Sequence, residues 1–229
     1  MKIEKQIINQ RCTIFIDKIL PFSVQLFDTF KEIFALGELT PVILPDIQTP
    51  FLGMQQNQHW GGMDKNNIKL EVYSNKIDFF TYNGDNEAKV CLYFLHKIIN
   101  LCDSLSIKIR RMAFAPVYQS SEDDVSKFFD VNLKKATFNN IDMHDFSMNR
   151  VFYKTEDFEG SSFNIIYNCS VTLQIKDFQV AEPEKKIIIM NDINTRDMGG
   201  RVFSRKEIEA FYKKVPERNA AFLKLFLED

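Results

Sequence analysis

The chain has 229 residues, 45% hydrophobic and 26% charged, with a formal net charge of -2 at pH 7; a chain of this size buries a sizeable core without disulfide or metal staples. That balance argues against the basic stripe of a dedicated duplex-DNA binder and leaves a local basic patch open, so a nucleic-acid partner is an option that the net charge does not support. No apolar run reaches the roughly 18 residues that span a bilayer. Residues 1–10 alternate charged and apolar side chains and lack the apolar core of a signal peptide, which predicts a cytoplasmic protein with no membrane partner.

Residues 11–16 are β-branched and aromatic and read as a first strand. Pro21 then suits the opening of a helix in which Val24, Phe27, Phe30 and Phe34 recur at helical spacing, with Gly37 at its exit. Residues 39–63 carry Pro41, Pro45, Pro50, Gly53, Gly61 and Gly62 without clear periodicity, and predict a long loop. Ile68, Leu70 and Val72 alternate with polar residues, Ser74-Asn75 signals a turn, and 77–82 is the return strand of a hairpin. Asn86 offers an N-cap to a helix whose stripe is Val90, Cys91, Phe94, Leu95, Ile98 and Cys102. Ile107, Ile109, Ala113, Ala115 and Val117 mark the next strand. Strand, helix, two strands, helix, strand is the split βαβ, ferredoxin-like order.

From Ser120 the character changes. Residues 121–124 cap a short helical turn through Phe129, and the stretch to Asp145 is polar and irregular. Over 163–175 every odd position is apolar or aromatic and the even ones are mostly polar, the signature of an antiparallel strand with one wet side. Residues 187–190 form an unbroken apolar strand. Ser204 and Glu207 make a capping box for a last helix with Ile208, Phe211, Tyr212, Val215, Phe222 and Phe226 on one face, and Pro216 predicts a kink or break in it. The expected fold is α+β, a mostly antiparallel sheet with helices on one face. It divides into a ferredoxin-like half over 1–119 and a second antiparallel half over 120–229, which also read as one continuous domain.

No phosphate-binding glycine loop, dinucleotide fingerprint, zinc-protease motif or nucleophile elbow occurs, and no cofactor is expected. Cys12, Cys91, Cys102 and Cys169 lack metal-ligand spacing and read as buried free thiols. His59, His96 and His144 are too dispersed for a triad. His59 and Trp60, beside two glycines, are candidates to stack a base or line a ligand mouth; the plainer reading is a turn whose Trp covers the core. Arg110, Arg111 and Arg196 are candidate contacts for a phosphate or an acidic partner, against the commoner reading as a solvated face. Asp192 and Asp197, near the end of an apolar strand, are where a two-metal nuclease would place ligands, though further acidic partners are not evident. Aromatics on the hairpin suggest base stacking, but the RNP consensus is absent.

The strand at 187–190, the Asp192-Ile193-Asn194 element and the long final helix with Asn219 and Phe222 resemble a sporadically distributed bacterial protein family, whose final helix carries a late Asn or His. Pro216 and the lack of that His depart from the pattern. The resemblance implies a bacterial accessory-genome protein and carries over no activity. The sequence therefore points to a non-enzymatic binding protein, acting through a protein partner or self-association as an accessory component of a bacterial defence or mobile-element system. The alternatives are a metal-dependent hydrolase acting on nucleic acid or nucleotides, and a small-ligand-binding module.

Overall fold

The computed structural model describes residues 5–34, 42–45, 58–63, 68–82, 84–120, 146–175, 185–196 and 199–228. Its described strands are β1 (Lys5–Ile16), β2 (Val42–Pro45), β3 (Gln58–Met63), β4 (Ile68–Val72), β5 (Lys76–Thr81), β6 (Ile109–Ser120), β7 (Phe146–Phe158), β8 (Ser161–Ile175) and β9 (Lys185–Thr195). Its helices are α1 (Val24–Phe34), α2 (Glu87–Leu105) and α3 (Arg205–Glu228). All nine strands join one sheet in the order β2-β3-β4-β5-β1-β6-β9-β8-β7, and every pairing is antiparallel. The fold is α+β. The elements that gave the expected ferredoxin-like order stand as the contiguous strands β4-β5-β1-β6, and β6 continues through β9 into the second half of the chain.

Side-chain alternation assigns the two faces. Cys12, Ile14 and Ile16 of β1, Ile77 and Phe79 of β5, and Phe163, Ile165 and Tyr167 of β8 all enter the apolar core beneath the helices. α2 touches both α1 and α3, so the three helices form one layer on that face. The other face carries the opposite residues of each strand and, among the described residues, is covered by no helix or strand.

Several expectations change once packing is seen. The stretch 39–63, expected as a loop, supplies β2 and β3. Gly61 fits there because β4 lies so close: a Cβ at Gly61 would stand 2.1 Å from the Leu70 carbonyl oxygen. In β6 the alternation expected from Ile109 through Val117 does not run unbroken, because a bulge shifts the register between Phe15↔Arg111 and Ile16↔Ile109. Met112, Phe114 and Tyr118 therefore face the helices, while Ala113 and Ala115 lie on the opposite face. On α1, Phe27, Phe30 and Phe34 are buried but Val24 is exposed. The sequence predicts that strands resume after Asp145, but its pattern sets no bounds for β7. Its hairpin with β8 turns at Glu159-Gly160, both at positive φ (55° and 77°), as a two-residue turn matching strand twist requires.

The final helix is not broken at Pro216. An internal proline costs about 3 kcal/mol, but burying a large apolar side chain stabilises by roughly 1.5–3 kcal/mol, and Phe211, Tyr212 and Val215 before it are all fully buried. The Tyr212 hydroxyl also donates to the Thr13 carbonyl at 3.0 Å, fixing the turn ahead of the proline to β1. The expected caps are present: Asn86 accepts from the Ala88 amide at 2.9 Å, and Glu207 accepts from the Ser204 amide at 2.8 Å. The expected Gly37 exit and the turn through Phe129 lie outside the described residues.

Gly61→Ala should destabilise the protein by about 1–3 kcal/mol or more, the cost of overpacking against a backbone that cannot move aside. Urea midpoints measure this, and an unshifted midpoint would mean that β3 and β4 do not approach as described.

Candidate functional site

The face opposite the helices is ordered in rows that cross the strands. In one row, Phe80 of β5 pairs with Arg11 of β1, which pairs with Ala115 of β6. Continuing the β6–β9 register from Ala113↔Asn194 sets Ala115 opposite Asp192, whose next neighbour is Asn168 of β8. Arg11 and Asp192 reach across the small Ala115 side chain to form an ion pair at 3.6 Å. Arg11 Nε, Asp192 Oδ1 and Asn168 Oδ1 are buried there without a hydrogen-bond partner in the chain. A neighbouring row holds Glu71, Asp78 and Thr13; Asp78 accepts from the Thr13 hydroxyl at 2.5 Å and from Lys76 at 2.7 Å.

Past Ala113 and Asn194, the last paired residues at that end of the ladder, the alternation puts Arg111 and Arg196 on this same face. Like charges on one sheet face repel, and here each guanidinium lies over an aromatic ring: Arg111 over Phe15 at 4.4 Å and Arg196 over Tyr153 at 5.2 Å. Arg111 Nε also donates to the Thr195 carbonyl at 3.2 Å. Arg110 is exposed at the bulge.

Trp60 is 2% exposed. Its indole meets Phe30 at 5.2 Å, Phe22 at 5.8 Å and Phe27 at 6.0 Å, and its Nε1 donates to the Leu20 carbonyl at 3.0 Å. It is a core residue, turned away from any ligand mouth. His59, on the opposite face of β3, stacks on Tyr73 at 4.6 Å. Thus Arg111, Arg196 and Asp192 share one region, while His59 and Trp60 stand toward the far edge of the sheet on opposite faces. Asp192 and Asn194 lie within β9 instead of the turn after it. A carboxylate facing a guanidinium is poorly placed as a divalent-metal ligand, and among the described residues no group of three His, Cys, Asp or Glu side chains is placed to hold a metal ion. Asp197 and His144 lie outside the described residues.

Under the helices lies a polar cluster that sequence reading missed. The Tyr118 hydroxyl donates to Glu87 Oε1; Asn219 Nδ2 donates to Glu87 Oε2 at 2.8 Å and to the Tyr118 oxygen; Asn191 Nδ2 donates to Asn219 Oδ1 at 2.7 Å. Burial raises the Glu87 carboxyl above its ordinary range, against the hydrogen bonds from Tyr118 and Asn219. Burial, followed by the Glu87 charge, pushes the Tyr118 hydroxyl up. The cysteines are free, and burial pushes Cys102 up to about 11 and Cys169 to about 12, which keeps both as inert thiols.

The sheet's two edges are unlike. β2 has four residues and ends in Pro45, which offers no N–H. β7 has 13 residues and no proline, and no described strand pairs with its outer side. Val151, Phe152 and Tyr153 are exposed in succession along it, Tyr153 at 65%. Between β7 and α3 runs a groove of about 250 Å³ lined in part by Phe152, Tyr167, Arg218 and Phe222. Glu156 closes one side of it, held by Lys154 at 2.8 Å, Arg218 at 3.7 Å and the Tyr167 hydroxyl at 3.1 Å. A consecutive apolar triplet has no period, which is why neither the bounds of this strand nor a site is visible there in the sequence.

Two outcomes follow from these contacts. Asp192→Ala should lower stability by about 1–3 kcal/mol, since it leaves Arg11 half-buried without its partner; urea titration of metal-free protein checks this. Glu87, with a raised folded-state pKa, contributes stability that is present below the ordinary value of 4.5 and is lost as pH rises through the raised value. In Glu87→Gln that fall across the mildly acidic range should vanish from a plot of urea midpoint against pH.

No protein-family model matches the chain, and no curated protein matches it.

Proposed function

We propose that the protein is a non-enzymatic binding protein whose β7 rim meets its partner. The observation that carries this reading is the contrast between the edges: a short one closed by proline, and a long one exposing Val151, Phe152 and Tyr153. Long exposed edges template strand addition unless charge, proline or another element blocks them. The adjoining groove gives a neighbouring strand side-chain contacts beyond its backbone hydrogen bonds.

The chemical readings draw less support. Asp192 is engaged by Arg11 and the lone indole is sealed in the core. Glu87, Tyr118 and Asn219 bond to one another and Asn191 Nδ2 donates into the cluster, leaving Asn191 Oδ1 without a partner in the chain; these bonds join two helices to the sheet. The free cysteines suit action in a reducing compartment such as the cytoplasm. A place in a bacterial defence or mobile-element system rests on the family resemblance.

A photoreactive residue at Tyr153 should form a covalent adduct with a polypeptide on irradiation in living cells. The same residue at Leu92, exposed on α2, should form none. Absence of any adduct at Tyr153 would sink the reading.

A further inference from the structure

The binding reading leaves the partner open, and the side chains of β7 select one. We propose that β7 pairs antiparallel with β7 of a second copy of this chain, about a two-fold axis that passes through Tyr153. The proposal rests on the reading of β7 as the binding edge.

Register selects the axis. A closed two-fold pairing of identical antiparallel strands sets each residue opposite its mirror position about the central residue, with like faces together. Centring on Phe152, the middle of the strand, would set Arg150 against Lys154, and centring on Lys154 would set that residue against itself; both oppose like charges. A centre at Val151 avoids such clashes but pairs no opposite charges, and one at Thr155 runs Arg150 and Val151 into the Glu159-Gly160 turn. Centring on Tyr153 removes every like-charge clash. On the helix side, Arg150 comes opposite Glu156, the only carboxylate on that face of β7, and Phe152 comes opposite Lys154, ring against cation. Met148 comes opposite Phe158. On the other side, Val151 comes opposite Thr155, Asn149 opposite Asp157, and Tyr153 meets its own copy. Each of these pairs occurs twice by symmetry, except the Tyr153 self-pair on the axis, which occurs once.

This arrangement covers the exposed Val151-Phe152-Tyr153 run and merges two nine-stranded sheets with both helical layers on the same side. It also sets the two grooves beside α3 next to one another across the new seam. Among the described strands, closure about a two-fold leaves the short, proline-ended β2 edges outermost, so assembly stops at two copies.

The test exploits the axis. Wild-type protein at micromolar concentration should sediment at twice the chain mass of 26.8 kDa. Tyr153→Lys and Tyr153→Glu, each checked for native circular dichroism, should each weaken the dimer by at least about tenfold, because each sets like charges face to face. Mixing the two variants should restore a dimer containing one of each, read by native mass spectrometry. A monomeric wild type, variants that stay dimeric, or a mixture that stays monomeric would overturn the proposal. The photoreactive residue at Tyr153 separates the two failures: an adduct with a different polypeptide sinks self-pairing and leaves the binding reading intact, whereas no adduct sinks both.

Discussion

A carboxylate, a phenol and two carboxamides meet where β6 pairs with β9, the seam that joins the two halves of the sheet. Tyr118 and Asn191 rise from those strands, Glu87 comes from the first turn of α2, and Asn219 from the later turns of α3. Tyr118, Asn191 and Asn219 are 1% exposed or less. Burying such groups without partners would cost more than the surrounding packing supplies, whereas joined they exclude alternative arrangements. An apolar contact tolerates a helix sliding or rotating by a fraction of a turn. This cluster does not, because Asn219 donates to two partners and accepts from a third. The cluster thereby fixes α3 against the seam, and with it the depth of the groove beside β7.

One helical layer covers one face, and the rest of the surface follows from that. On the other face the strands satisfy one another with rows of side chains: Lys69 with Glu71, Lys76 with Asp78, Arg11 with Asp192. Arginines at the end of the rows rest on Phe15 and Tyr153, where a flat cation is favourable over a ring even near water. Tyr153 thus belongs to two arrangements at once, as the floor under Arg196 and as the most exposed of the Val151-Phe152-Tyr153 run. Whatever pairs with β7 also comes against the guanidinium of Arg196.

The interior strands were legible because burial on one side imposes a period of two, as along 163–175, and the caps were legible because Asn86 and the Ser204–Glu207 pair have few other uses at helix starts. Three features were hidden for stated reasons. β2 and β3 carry proline and paired glycines that imitate a loop, and only the close approach of β4 to Gly61 shows why glycine is required. β7 sits at an edge, where neither face need be purely polar, so alternation fails. The polar cluster joins residues more than 100 positions apart, Tyr118 to Asn219 and Glu87 to Asn219, and no local pattern records such a meeting. Among the candidate residues, Arg111 and Arg196 read from the sequence as a basic patch and Asp192 as a separate metal ligand; their shared face is set by strand pairing, and Arg11, which decides what Asp192 does, lies in the first strand.

The lone indole has a consequence for how this protein can be watched. Trp60 is packed among Phe22, Phe27 and Phe30 and tied to Leu20, toward the β3 end of the sheet. The seam under α3 lies strands away and holds only phenylalanine and tyrosine as chromophores. Intrinsic emission excited at the red edge therefore reports the order of one end of the molecule, while the far-ultraviolet ellipticity of α3 reports the other. If the two signals part company during unfolding, the distance between them measures how firmly one continuous sheet makes its halves melt together.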